Sequence, residues 1–167
     1  MNPQQPRPID GGDNTGDFDS GEESLDRYLA DRALTNHIAD LARCYVCVDA
    51  DTDKIIGYYT LSAVAVEHVD LPGKVRRNAP NPIPAVLMGR LAIDVKAQGS
   101  DLGRLLVRDA ILSTLAAADR IGVRILLVHA LHEHATSFYE KLGFKRSPTD
   151  PLHLYLLLTA TAAPGEH

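Results

Sequence analysis

The sequence predicts an α/β protein of the mixed α+β kind, one mixed sheet with helices on its faces. Three observations lead there. Strand-like runs dominate residues 44–64. From residue 85 onward, strand-like and helix-like runs alternate. Within that part, Met88-Gly89-Arg90-Leu91-Ala92-Ile93-Asp94-Val95-Lys96-Ala97-Gln98-Gly99-Ser100-Asp101-Leu102-Gly103 reads as an apolar strand, a polar turn with two glycines, and a helix beginning near Leu102.

The 167 residues suffice for one domain with a real core. No apolar run approaches the ~20 residues of a membrane span, so no membrane role is expected. Residues 1–21 are rich in Pro, Gly, Asp and Asn and lack the basic start and apolar stretch of a signal peptide. The expected location is the cytoplasm. Residues 1–26 carry Arg7 against seven acids, a net of −6, and the rest of the chain carries +1 of the overall −5. A uniformly basic coat is excluded. A polyanionic partner stays open where basic residues cluster locally.

Residues 1–21 are expected as a loosely ordered lead-in with a short strand at Arg7–Ile9. Leu25, Tyr28, Leu29, Ala33 and Leu34 recur at helical spacing and predict a helix from Glu22 to about Asn36, capped by Ser20 or Ser24. A second short helix is expected over His37–Leu41. Strands follow at Cys44–Asp49 and Lys54–Val64 around a hairpin-type loop, with Gly57 marking a bulge. Residues 65–84 are dense in breakers and are expected to be irregular. Ala85–Val95 is the next strand. Leu102 to about Ile121 is a mostly buried helix with a narrow polar stripe (Arg104, Arg108, Asp119), closed by Gly122. Arg124–His129 is a strand, and Glu133–Leu142 a helix closed by Gly143. Leu152–Leu158 is a last strand, paired with one near Phe144–Arg146. Residues 22–158 thus form a single domain, and the tail 159–167 is expected to fray.

A helix N-terminus behind a glycine-containing turn aims several unpaired N–H groups at one place, with the positive end of the helix dipole behind them. The matching guest is a phosphate or pyrophosphate. Cys44 and Cys47 form a C-x-x-C. On a strand, residues three apart point to opposite faces, whereas a redox pair needs a helix N-terminus. The two are expected to be structural. His129, His132 and His134 have no recognisable carboxylate partner, so no metal is expected.

Residues 88–103 together with Ser137-Phe138-Tyr139-Glu140-Lys141-Leu142-Gly143-Phe144 resemble the GNAT acetyltransferase family, over roughly residues 40–158. The family pattern Q/R-x-x-G-x-G/A opens the helix. Gln98 and Gly103 match its ends, while Asp101 stands at the central glycine. Either the backbone there is left-handed, which Asp tolerates, or a carboxylate beside the pyrophosphate weakens binding by on the order of 1 kcal/mol. The resemblance implies the GNAT fold, a central, mostly antiparallel mixed sheet flanked by helices. It implies acetyl-CoA as co-substrate, with the pantetheine arm along Leu91, Ala92 and Ile93. The pyrophosphate would face the amides of Gly99, Ser100, Asp101, Leu102, Gly103 and Arg104. The Arg104 side chain would add a charge-assisted contact or remain solvated. Tyr139 would donate a proton to the departing thiolate, since a phenol and a thiol are of similar basicity. An amide near Ile93 would stabilise the oxyanion. His132 falls where many members carry an Asn that touches the cofactor.

Three further strings are similar to GNAT toxins of bacterial toxin–antitoxin modules: Phe18-Asp19-Ser20-Gly21 with Leu25-Asp26-Arg27-Tyr28-Leu29, Gly89-Arg90-Leu91-Ala92-Ile93-Asp94, and Val128-His129-Ala130-Leu131. That resemblance implies acetylation of the α-amino group of aminoacyl-tRNA, a block of translation, a homodimer, and a ribbon-helix-helix antitoxin as partner. Lys74, Arg76 and Arg77 in the long loop, with Arg90 and Arg108, would form a phosphate-binding track, or simply a solvated face. Two alternatives stay open: acetylation of a small amine or protein N-terminus, and a GNAT-like binding protein whose loop is spoiled by Asp101.

Overall fold

The computed structural model of the protein describes residues 1–158. Residues 159–167, expected to fray, lie outside the described residues. Strands β1 (Arg7–Pro8), β2 (Arg43–Asp49), β3 (Lys54–Val66), β4 (Ile83–Ile93), β5 (Ile125–His129), β6 (Lys145–Arg146) and β7 (His153–Leu157) form one sheet in the order β1-β2-β3-β4-β5-β7-β6. β4 and β5 run parallel, whereas β1–β2, β2–β3, β5–β7 and β6–β7 are antiparallel. The helices are α1 (Glu23–Asp31), α2 (Ala33–Ile38), α3 (Gly73–Arg76), α4 (Leu102–Ala118) and α5 (Glu133–Lys141). The expected mixed α/β architecture is the one observed. The described residues form two compact units, Met1–Ser62 with Gly89–Ala110, and Ala63–Met88 with residues 111–158.

In the first unit, β2 is covered on both faces, so Cys44, Val46, Cys47 and Val48 are all buried. Both cysteines are free thiols, and burial pushes Cys44 up to about 12 and Cys47 up to about 11. Protonated, inert thiols fit the expected structural role. Tyr45 and Tyr59 are direct cross-strand partners, with rings stacked at 5.1 Å. The β2–β3 register shifts where Cys47 pairs Gly57 and Val48 pairs Ile55, which is the bulge expected at Gly57. A Cβ at Gly57 would lie 2.8 Å from Leu106 Cδ1 and 3.3 Å from the Ala92 carbonyl, so the glycine also lets α4 approach the sheet.

The single helix expected over residues 22–36 is two helices. Arg32 leaves helical geometry at φ −127°, although Asn36 N–H still bonds the Arg32 carbonyl across the bend. The second helix therefore ends at Ile38 rather than running over His37–Leu41, and Asp40, left-handed at φ 61°, turns the chain away. Neither Ser20 nor Ser24 caps α1. Its N-cap is Glu22, and the Ser20 hydroxyl donates instead to Asp26 at 2.6 Å. Ile9 and Phe18, from the stretch expected to be loosely ordered, pack in a buried cluster with Leu25, Tyr28, Val46 and Tyr58. Those contacts are long-range, so local composition did not reveal them.

In the second unit, the stretch expected to be irregular is organised. β3 runs on to Val66, a 3-10 turn spans His68–Asp70, α3 follows, and β4 begins at Ile83. Val66, Leu71, Val75 and Ile83 reach into a core with Ala85, Ile125 and Tyr155. Arg124 Nη1 donates to the carbonyls of Val75 at 3.2 Å and Arg77 at 3.3 Å, which pins this segment. β6 and β7 pair as expected, and Gly143 (φ +100°) turns the chain after α5. Helix α4 stops at Ala118, short of Ile121, and Leu105 and Leu112 lie exposed beside Arg104 and Arg108. Its solvent face is wider than its polar stripe.

Candidate active site

The parallel ladder between β4 and β5 runs from Ala85–Ile125 to Met88–Val128, and β4 then continues to Ile93. Leu91, Ala92 and Ile93 fall in that continuation. Ala92 is buried, while Leu91 and Ile93 are half-buried.

The turn after β4 is locked from within. The Asp94 carbonyl accepts from Ala97 N–H at 2.8 Å and Gln98 N–H at 3.1 Å. The Asp94 carboxylate, 6% exposed, accepts from Lys96 N–H at 3.0 Å and from Asp19 N–H at 3.1 Å. Val95 N–H returns a bond to the Asp19 carbonyl at 2.7 Å. Gln98 Nε2 donates to the carbonyls of Ser20 and Ile93, both at 2.8 Å. Ser20 is held in turn by Asp26, which accepts from its amide at 2.9 Å. The Phe18-Asp19-Ser20-Gly21 string and the turn are thus one hydrogen-bonded assembly. Sequence reading singled out that string and Gln98 but assigned them no such contact. It missed the role of Asp94, although an Asp closing a strand and bonding the amide two residues on is a recognisable turn signal.

Accounting for the turn's donors sorts the expected anion site. Ser100 N–H bonds the Ala97 carbonyl at 3.4 Å, and Leu102 N–H reaches Ser100 Oγ at 3.4 Å. Leu105 N–H bonds the Asp101 carbonyl at 3.0 Å, which makes Asp101 the residue that opens α4. The amides of Gly99, Asp101, Gly103 and Arg104 have no partner among the described residues. Four free donors at the head of a helix of 17 residues fit a pyrophosphate. The positive φ of this turn belongs to Gly99, at +82°. Asp101 is not left-handed, which corrects that expectation: the glycine-dependent geometry sits two residues earlier. Its carboxylate is exposed. The side chain of Arg104 is exposed beside it and makes no ion pair among the described residues.

Tyr139 lies on α5 in the second unit, 7% exposed, edge-on to Phe138 at 5.2 Å and to Phe144 at 5.7 Å. Its carbonyl accepts from Leu142 and Phe144 N–H, so the Phe-Tyr…Gly-Phe string is one helix end folded back on itself. Burial pushes the Tyr139 phenol up from its ordinary value. It therefore holds its proton at neutral pH, the state a proton donor needs. Arg146, on β6, steadies the helix by pairing with Glu133 at 2.7 Å and Glu140 at 3.1 Å. His132 is the N-cap of α5 and stacks on His134 at 5.1 Å. His129 stacks on its cross-strand partner His153 at 3.9 Å.

The basic residues divide. Lys74, Arg76 and Arg77 are exposed on and after α3, and Arg76 Nη1 donates to the His68 carbonyl at 3.1 Å. Lys74, Arg77 and Arg108 make no ion pair among the described residues. Arg90 is committed differently: its guanidinium lies 3.7 Å above the Tyr28 ring.

A family model described as an acetyltransferase (GNAT) domain matches residues 40–146. A tRNA-acetylating toxin of Mycobacterium tuberculosis is 51% identical over 154 residues, 92% of this chain and 91% of that protein. A crystal structure of a mutant of KacT superposes with a TM-score of 0.88 at 30% identity, covering 96% of this chain and 97% of that one. AtaT complexed with acetyl-methionyl-tRNAfMet gives 0.87 at 29% identity, covering 94% and 96%. With the free amides at the head of α4 and the buried tyrosine of α5, these likenesses settle the family: the chain belongs to the GNAT acetyltransferases.

Proposed function

We propose that the protein is an acetyl-CoA-dependent N-acetyltransferase that acetylates the α-amino group of aminoacyl-tRNA and so acts as a toxin that blocks translation. The observation that carries the reading is the set of four unpaired amides at Gly99, Asp101, Gly103 and Arg104, held in place by the Asp94 and Gln98 bonds. Those amides would hold the pyrophosphate, and the backbone of Leu91–Ile93 the pantetheine arm. The bound thioester supplies the acetyl group. An amide near Ile93 would stabilise the oxyanion, and Tyr139 would give its proton to the leaving sulfur. No covalent enzyme intermediate is needed.

The choice of acceptor is supported by the likeness to a tRNA-acetylating toxin along nearly the whole chain. Lys74, Arg76, Arg77 and Arg108 present unburied charge suited to phosphates, with Arg90 set against Tyr28. As a toxin acting on charged tRNA it would work in the cytoplasm, as a homodimer neutralised by a ribbon-helix-helix antitoxin.

The test is to incubate the protein with labelled acetyl-CoA and, separately, charged tRNA, polyamines and peptides. Label on charged tRNA alone is expected. Label only on small amines or peptides overturns the acceptor, and failure to bind acetyl-CoA in calorimetry overturns the enzyme. Replacing Lys74, Arg76 and Arg77 together should weaken tRNA acetylation and flatten its salt dependence. Unchanged kinetics across salt would remove them from the interface.

A further inference from the structure

The second unit holds a cavity of about 270 Å³ that none of the residues assigned above explains. Its floor is apolar, formed by Val64, Val66, Leu71, Leu87, Leu127 and Leu154. Its polar residues are few: Asp70, His129, Ser147, His153 and Tyr155. Leu127 and His129 are alternate residues of β5 and so share a face, as do their cross-strand partners Tyr155 and His153. His129 follows Val128, the last residue of β5 paired to β4. The imidazole pair therefore marks the cavity wall at the point where that ladder ends.

We propose that this cavity receives the aminoacyl group of the acceptor, an apolar side chain inside and the α-amine at the His129–His153 pair, with His129 taking the proton the ammonium must lose before it can attack. The proposal rests on the reading of the protein as an acetyltransferase for charged tRNA. The partners of the cavity's titratable groups single out His129. Asp70 Oδ1 is occupied, accepting from the Thr149 hydroxyl at 2.5 Å. His153 Nε2 faces Asp150 Oδ2 at 3.4 Å. Among the described residues His129 has the ring contact with His153 but no hydrogen-bond partner, and it is solvent-exposed. Partial desolvation of the ring within the cavity lowers its pKa and neighbouring His153 lowers it further, while Asp150 opposes them. A neutral imidazole with a free lone pair is what a base requires.

The protons balance. The ammonium gives one proton to His129 and becomes an amine. The amine nitrogen forms its bond to the acetyl carbon, the carbon–sulfur bond breaks, and the sulfur takes a proton from Tyr139. The second nitrogen proton restores Tyr139, and His129 releases its own to water. One proton leaves per turnover, and no oxidant, reductant or metal takes part.

The test uses the full chain, charged tRNA and saturating acetyl-CoA from about pH 5.5 to 8.5. His129→Gln should lower kcat/KM for charged tRNA by roughly 10²-fold at neutral pH. The acid limb of the wild type should follow protonation of His129, and that of the variant should move to higher pH, where the substrate ammonium itself loses its proton. Added imidazole should restore part of the activity of His129→Ala. Acetyl-CoA binding in calorimetry should be unchanged in both. Leu87, half-buried in the cavity floor, allows a separate check: Leu87→Trp should raise KM for charged tRNA about tenfold and leave acetyl-CoA binding intact. Activity of His129→Gln within about twofold of wild type, with the same acid limb, overturns the base. An unchanged KM in Leu87→Trp overturns the pocket. Failure of the wild type to acetylate any charged tRNA would instead sink the functional reading, and the same variants would then be assayed on whichever amine it does accept.

Discussion

Replacing Gln98 by alanine should loosen acetyl-CoA binding without unfolding the protein. The side chain makes two hydrogen bonds, to the carbonyls of Ser20 and Ile93, each at 2.8 Å. A neutral hydrogen bond contributes a net ~0.5–1.5 kcal/mol. The Ile93 carbonyl end of this contact is exposed and the Ser20 end part-buried, so water regains both acceptors and the loss should fall at about 1–2 kcal/mol. What those bonds hold is the turn that presents the free amides of Gly99, Asp101, Gly103 and Arg104. If the ligand binds only the latched turn, and the free variant is mostly unlatched, the loss enters its dissociation constant as a rise of up to roughly 5–30-fold. Isothermal titration of acetyl-CoA reads this directly, and kcat at saturation should be nearly kept. Affinity within about twofold of wild type, beside a lowered unfolding midpoint, would show Gln98 to be structural only and refute the coupling of the N-terminal string to the cofactor turn.

Tyr139→Phe should cut kcat by about 10²–10⁴-fold while acetyl-CoA affinity holds, because the ring contacts with Phe138 and Phe144 survive; wild-type turnover would remove Tyr139 from the reaction. Asp101→Gly should leave acetyl-CoA affinity unchanged or tighten it by up to about 5-fold, since Gly99, not residue 101, holds the positive φ and the change deletes a negative charge; weaker binding on titration would give Asp101 a positive role. Alkali should destabilise the fold through Cys44 and Cys47. Their thiols ionise near 9.0 when unfolded and at about 12 and about 11 when folded, so the stabilisation is complete below pH 9 and is lost as pH rises towards 12. Each thiol should cost about 1.4 kcal/mol by one pH unit above 9, measured by denaturant unfolding, and Cys44→Ala with Cys47→Ala should flatten that slope.

Much of the site was legible because it is local in sequence. The strand, the turn and the helix head lie within sixteen consecutive residues, and Tyr139 sits in a helix end whose glycine closes it. Which amides are free was not legible. Ser100 and Leu102 lose theirs to the neighbouring Ala97 carbonyl and Ser100 hydroxyl, a matter of backbone geometry that residue types leave open. Arg90 counted as a charge in the sequence, and only its position over Tyr28 shows it held on a ring.

Periodicity and turn chemistry by themselves determined most of the strands, helices α4 and α5, and which segment can hold an anion, because these depend on neighbours a few residues apart. Tertiary structure decided what needs distant partners. It drew Ile9 and Phe18 into a core, tied Asp19 and Ser20 to Asp94 and Gln98 some seventy-five residues away, and set His129 against His153. Such contacts form only when the chain closes on itself. The sequence supplied their members, and packing selected the pairs.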